Sequence, residues 1–416
     1  MVALSEAEIT AQARNWYREN WDPNSTVGEW FKLMYESGWG YPTWPEQWGG
    51  KGFATARAKL VRAERRAVGA LGPPSGIGPS LLAPMLFRHG NDEQCDRFLR
   101  GMAYQGSTIC QMLSEPDAGS DLAGTRTSAV RDGDEWRVTG AKVWTSNVTV
   151  ATYGMMLART NWDAPKHRGL SFFLCPAQQP GVEPMPIRQM NGRSEFHLVQ
   201  LNDVLIDHSD MLGAEGEGWA VARTFLQYEK NSFNPAAHEG GPFGPVDLDS
   251  PAGELALELS AAATKPTRGN RGIGRVVDEL VRDFGRRHDP TVRQDLAVLY
   301  TRRAILGYTN WRMRGGSAPG LEGPISKLTV SDITRLQRDL GLRVQGPYGM
   351  LLGTDAASDR FQEFALTTPS TSIAGGTDEI QRNHLAEKVL GLPREPSNDA
   401  QPFAQLAHGT TTWGRR

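Results

Sequence analysis

Apolar and polar positions alternate at helical spacing through the first hundred residues. Ser5 and Glu8 form a Ser-x-x-Glu capping box ahead of an amphipathic stretch. The segment YPTWPEQWGGKGF, residues 41–53, is dense in Pro and Gly and predicts a loop. Helical spacing resumes in ATARAKLVRAERRAV and SLLAPMLFRHG. Gly90 supplies a stop, and Asn91-Asp92 can cap DEQCDRFLRGM. Near residue 108 the period changes. STICQMLSEPDAGSD, SAVRDGDEWRVTGAKVWTSN, TYGMMLART, LSFFLCP and FHLVQLNDVLI are β-rich runs separated by turn residues, with a hairpin expected at Asp132-Gly133-Asp134.

From Gly216 the helical period returns in GWAVARTFLQYEK, VVDELVRDFG, TVRQDLAVLYTRRAILGYTNWRMR, ISKLTVSDITRLQRDLGLRV and TDEIQRNHLAEKVLG. Residues 233–270 are rich in Pro, Gly and Asp and predict an exposed insertion or mobile loop with one short helical patch. The tail after Pro393 predicts fraying. The expected class is α+β: an N-terminal helical domain (1–107), a central β domain (108–215), a C-terminal helical domain (216–395) and a tail (396–416).

The formal net charge of -2 over 416 residues argues against a general nucleic-acid or acidic-membrane binder. Cys95, Cys110 and Cys175 show no CxxC spacing and no metal-ligand pattern with histidine. They predict free buried or half-buried thiols in a reducing compartment. The first twenty residues lack the basic and apolar regions of a secretory signal, and no apolar run approaches the roughly 20 residues of a membrane span. A cytoplasmic protein is expected.

Three segments carry candidate chemistry. Ser114-Glu115-Pro116-Asp117-Ala118-Gly119-Ser120-Asp121 is a small-residue turn rich in N–H groups and hydroxyls. It suits a polar ring or a phosphate, and equally an ordinary link between strands. In Gly140-Ala141-Lys142-Val143-Trp144-Thr145-Ser146-Asn147, strict alternation puts Trp144 and Ser146 on one face and Thr145 on the other. An aromatic plane beside a hydroxyl fits an isoalloxazine ring, and fits a core tryptophan as well. Ala374-Gly375-Gly376-Thr377-Asp378-Glu379 places two glycines before a helix start. That arrangement suits a pyrophosphate or a plain glycine entry capped by Thr377.

In this order and spacing, the segments resemble the acyl-CoA dehydrogenase family over nearly the whole chain. The resemblance includes the Trp-Pro-x-x-x-Gly-Gly loop at residues 44–50, the strand pair around Gly192-Arg193-Ser194-Glu195-Phe196, Gly216-Glu217-Gly218-Trp219, and GGTDEIQRNHLAEKVLGLPRE. It implies N-terminal helices, a central β-barrel domain and a C-terminal four-helix bundle. It also implies FAD as cofactor and an acyl-CoA thioester desaturated between Cα and Cβ. By match, Gln111, Met112, Leu113, Ser114, Gly119 and Ser120 bind the flavin, Ser120 also standing at the acyl-CoA entrance. Trp144, Thr145 and Ser146 pack on the ring, with Ser146 meeting N5. Gly375, Gly376, Thr377 and Glu379 lie near the diphosphate.

The reaction so implied needs a carboxylate at Cα and hydrogen bonds that polarise the thioester carbonyl. Most members carry a Glu where this chain has Gly375. A minority place the base on the helix after the β domain, and the matching residue is Glu229. Tyr228, Lys230, Ser120 and Gly375 are then the expected substrate contacts. The family's cross-subunit FAD sequences also depart: Arg282-Asp283-Phe284-Gly285 has its Arg one place closer, and Arg343 stands where a Gln is usual ahead of Gly346 and Gly349. An electron-transfer flavoprotein as acceptor and a dimer of dimers are the implied partners. Related actinobacterial-type members include two-chain α2β2 assemblies, some acting on steroid-derived CoA thioesters.

Overall fold

Capping chemistry starts the first helices. In the computed structural model, which describes residues 4–232, 241–264, 273–314, 322–353 and 359–406, α1 (Glu6–Asn20) opens on the Ser5/Glu8 box. The same device, Thr26 with Glu29, starts α2 (Val27–Ser37), which ends on Gly38 at φ 77°. After the loop at 41–53 come α3 (Thr55–Ala67) and a π-helical turn, Gly78–Leu82. The turn runs into α4 (Ala83–His89), which stops at Gly90. Asn91 and Gln94 cap α5 (Asp92–Tyr104) reciprocally.

Eight strands follow: β1 (Ile109–Met112), β2 (Ser128–Asp132), β3 (Glu135–Ser146), β4 (Tyr153–Arg159), β5 (Leu170–Pro176), β6 (Val182–Ile187), β7 (Phe196–Asp207) and β8 (Met211–Leu212). They form one sheet in the order β6-β7-β3-β2-β4-β5-β8, with β1 parallel to β4. The hairpin at Gly133-Asp134 joins β2 to β3 as expected. β6 is a strand that the β-rich runs of the sequence do not include. VEPMPI carries Pro184 and Pro186, which read against a strand, yet it sits at the sheet edge, where alternate residues need no partner for their N–H.

The runs GMMLA and SFFLC in β4 and β5 are continuously apolar because both faces are covered. Met155, Leu157, Phe172 and Leu174 pack with α4, α5 and α6 (Gly218–Ser232). Their alternates Met156, Phe173 and Cys175 fill a second core with Trp136, Val138, Val199 and Leu201. All three cysteines are buried and free, and burial pushes Cys95 up to about 11 and Cys110 and Cys175 up to about 12.

The segments expected as an exposed insertion or mobile loop with one short helical patch, and as a frayed tail, are docked where the structure describes them. Residues 241–264 are packed onto the N-terminal helices and contain α7 (Ala252–Thr264). Gly28 N–H donates to Leu248 O, and Ala252 N–H to Ser25 O, while Ala252, Leu255 and Leu259 join the α1/α2 core. Residues 233–240 and 265–270 of that insertion lie outside the described residues. Residues 397–406 of the tail also return to the sheet domain, while 407–416 lie outside the described residues. Phe403 is fully buried under the Arg159 guanidinium, 3.4 Å from the ring centroid, and its N–H donates to Ala164 O. Arg159 binds the carbonyls of Thr125 and Ala123, so an apolar ring covers a cation that has given its donors to backbone.

These elements make one unit: Met1–Ile187, Ser194–Thr264 and Ser397–Arg416. The second is Arg188–Arg193 with Lys265–Pro396. In it α8 (Ile273–Asp283), α9 (Pro290–Arg314), α10 (Glu322–Gln345) and α11 (Asp359–Thr367) share one core of Val277, Leu280, Leu299, Leu340, Phe361 and Phe364. α11 was not evident from the pattern, because its apolar face is little more than two phenylalanines three residues apart. α12 (Asp378–His384) follows the double glycine.

Candidate active site

The turn at residues 114–121 is fixed by a buried ion pair. Its tip closes through reciprocal Glu115–Ala118 backbone bonds of 3.1 Å. Lys142, fully buried on β3, donates to Glu115 Oε1 at 2.8 Å, Leu113 O at 3.2 Å and Leu157 O at 2.6 Å. The second face of the Glu115 carboxylate accepts the N–H groups of Arg126 at 2.7 Å and Thr127 at 2.9 Å. Burial alone would raise Glu115. The Lys142 ammonium and the two backbone donors outweigh it and hold the carboxyl below its ordinary value. Val143 N–H bonds Ser114 O at 2.8 Å, so the two motifs are stitched side by side. Leu113 and Met112 are buried, leaving their backbone as the part open to a ligand, while Ser114 and Gln111 are half-buried. A Cβ on Gly119 would meet nothing within 4 Å, and Ser120 beside it is exposed. The sequence carried a signal for the burial of Lys142, which shares strand parity with inward-facing Trp136 and Val138, but none for its partner.

A bulge interrupts the alternation ahead of Trp144. Val143 and Trp144 together stand opposite Leu198 of β7, a bulge between the pairs Lys142↔Val199 and Thr145↔His197. Trp144 takes φ 61°, a left-handed value that a bulky residue holds only under constraint. The bulge turns its indole outward, 58% exposed, edge-on to Phe196 at 5.9 Å. Thr145 is buried, its Oγ1 without a hydrogen-bond partner among the described residues, and Ser146 is half-buried.

Glu229 belongs to α6. Val221, Ala222 and Phe225 are that helix's buried stripe, and Glu229 lies four residues beyond Phe225 on the same face. It is half-buried, with Leu226 and Tyr228 packed on the apolar cluster alongside. The side chain of Lys230 lies outside the described residues.

In the second unit, Gly375 and Gly376 take φ 66° and 84°, and Thr377 caps α12 by accepting Ile380 N–H at 3.2 Å. The anchor of this turn is Asp378. It accepts Lys327 Nζ at 2.6 Å and Arg335 NH1 at 2.8 Å, and both cations also bind Ser372. Burial opposes its charge, but the Lys327 and Arg335 donors prevail and keep the carboxyl well below the usual range. Glu379 is exposed. Arg343, in place of the usual Gln, is paired with Asp295 of α9.

Three family models match the chain in sequence: acyl-CoA dehydrogenase N-terminal domain over residues 2–105, middle domain over 110–204 and C-terminal domain over 272–390. Acyl-CoA dehydrogenase IpdE1 of Mycobacterium tuberculosis is 35% identical over 357 residues, 85% of this chain and 84% of that protein. The chain belongs to the acyl-CoA dehydrogenase family. Solved structures of the family share its fold. The Tcur3481-Tcur3483 steroid ACAD matches with a TM-score of 0.65 and 23% identity over 94% of this chain and 98% of that one. The ChsE4-ChsE5 complex from Mycobacterium tuberculosis matches with a TM-score of 0.62 and 25% identity over 95% and 100%.

As an acyl-CoA dehydrogenase the chain is an FAD-dependent oxidoreductase. Its residues fit that cofactor. A large indole is held outward by a strained bulge, beside an unpartnered buried hydroxyl and a glycine with open space where a side chain would be. Gln111, Met112, Leu113, Ser114, Gly119, Ser120, Trp144, Thr145, Ser146, Tyr228 and Glu229 all belong to the sheet unit. Gly375, Gly376, Thr377 and Glu379 belong to the helical unit. Among the described residues no helix is long and apolar enough to cross a membrane.

Proposed function

We propose that this chain desaturates an acyl-CoA thioester between Cα and Cβ, with Glu229 as the base. The observation that carries the reading is a carboxylate continuing the apolar stripe of α6, in a chain whose position 375 cannot accept a proton. FAD, when bound, supplies the hydride acceptor. Glu229 takes the α-proton, and Leu226, Tyr228 and Phe225 exclude water around its carboxylate. Trp144, Thr145 and Ser146 would hold the flavin ring, the Ser146 hydroxyl serving its reactive side, and residues 111–114 would offer backbone groups to its polar edge. By likeness to the family pattern, the Gly375 N–H polarises the thioester carbonyl, and Thr377 and Glu379 serve the FAD diphosphate. Ser120 stands at the CoA entrance. An electron-transfer flavoprotein takes the electrons, and the enzyme works in the cytoplasm.

Anaerobic flavin bleaching tests this. Wild-type protein loses its yellow colour with a suitable acyl-CoA, and Glu229→Gln keeps its flavin but bleaches at least about a thousand-fold more slowly. Undiminished bleaching in that variant rules out the assignment.

A second reading is a subunit of a heteromeric dehydrogenase for steroid-derived CoA thioesters. The engaged Arg343 and the two-chain names of the structural neighbours favour it. Protein purified alone would then hold little FAD until a second chain is added; full occupancy in a homo-oligomer excludes it.

A further inference from the structure

Residues 241–250, within the insertion after α6, are packed and form one wall of a cavity. Residues 241–250 are sewn down at both ends. Ser75 N–H donates to Pro242 O at 2.9 Å, and Ser75 Oγ reaches Gly241 O at 3.1 Å and Pro242 O at 3.0 Å. Val27 N–H donates to Ser250 O at 2.9 Å, and Gly28 N–H to Leu248 O at 2.8 Å. The approach is too close for side chains: a Cβ on Gly241 would lie 1.8 Å from Pro73 O. Gly76, at φ 108°, leaves bare backbone under the Phe243 ring, where a Cβ would stand 2.8 Å from the ring edge.

Phe243 remains 59% exposed and faces a cavity of about 50 Å³ lined also by Ile77, Gly78, Met102, Ile109 and Asn147. Each wall adjoins a site segment. Asn147 follows Ser146. Ile109 lies on β1 two residues before Gln111. Gly78 opens the π-helical turn, whose Leu81 and Leu82 share the apolar cluster with Val221 and Phe225 of α6.

We propose that Phe243 is a specificity-determining residue. Its ring closes the acyl end of the substrate pocket, so that compact acyl groups fit and long ones are refused. This rests on the dehydrogenase reading above. The close glycine contacts hold the ring in place, and a longer acyl chain gains no further burial past it. Each further methylene that a widened pocket buries is worth about four-fold in affinity.

Calorimetric titration of the full chain with butanoyl-CoA and dodecanoyl-CoA measures this without turnover. Phe243→Ala raises the affinity for dodecanoyl-CoA relative to butanoyl-CoA by about ten-fold or more, and Phe243→Trp moves the ratio the other way. A ratio unchanged in both variants, or no binding of either thioester to the wild type, overturns the proposal. Wild-type protein that binds acyl-CoA with the expected ratios but never bleaches its flavin would instead overturn the dehydrogenase reading alone.

Discussion

Lys142→Met is the sharpest perturbation of the site's scaffold. Methionine keeps most of the lysine's volume and removes its charge. Three hydrogen bonds go with it, to Glu115, Leu113 O and Leu157 O. Glu115, its side chain 8% exposed, is left buried with only the N–H groups of Arg126 and Thr127. Breaking a buried pair from one side costs about 3–5 kcal/mol. At about 2–4 °C per kcal/mol in a domain of this size, the melting temperature falls by about 6–20 °C. In the wild type the folded pKa of Glu115 lies below the unfolded value, so its stabilisation is present above about pH 4.3 and is lost as pH falls through the folded value. In the variant the cation is gone and burial raises the folded pKa, so the penalty is greatest when the carboxyl is charged. The gap between the two proteins is therefore widest near pH ~7, where the carboxyl is charged, and narrows toward pH ~4 as it protonates. Thermal melts followed by tryptophan fluorescence at both pH values measure it. A variant melting within about 2 °C of wild type, or a gap independent of pH, would show that the pair does not hold the turn.

Asp378→Asn strands Lys327 and Arg335 and should destabilise the helical unit by about 2–3 kcal/mol at neutral pH. Because the folded carboxyl titrates below its unfolded value, that cost should fade as pH drops beneath about 4, which urea titrations at pH ~7 and ~2.5 would read. Phe403→Ala empties a fully buried site under Arg159 and should cost about 3–5 kcal/mol by thermal melting; a silent mutation would mean the segment around Phe403 is not anchored there.

What could be read from the residues was whatever depends on local chemistry. The Ser5/Glu8 box, the Gly90 stop, the Gly133-Asp134 turn and the change of period near residue 108 each follow from side chains within a few positions of one another. The failures have long-range causes. Residues 241–264 look like a loop by composition, and order comes to them from Ser25, Gly28 and Ser75, remote in sequence. Phe403 is an isolated aromatic in a polar tail until Arg159 covers it. At the site, both members of the Glu115–Lys142 pair stood inside quoted motifs, but their contact needs the fold. The outward turn of Trp144 comes from one extra residue in register, which alternation cannot foresee.

The proline pair in β6 bears on how molecules of this kind meet one another. Pro184 and Pro186 lie on the same alternation as Val182, whose N–H turns back to Gln179 O rather than across to β7. That flank of the sheet is thus short of the outward donors that an incoming extended segment would pair with. The opposite flank ends in a strand of two residues, too brief to template a guest. Growth of the sheet from one molecule into the next is discouraged at these two borders.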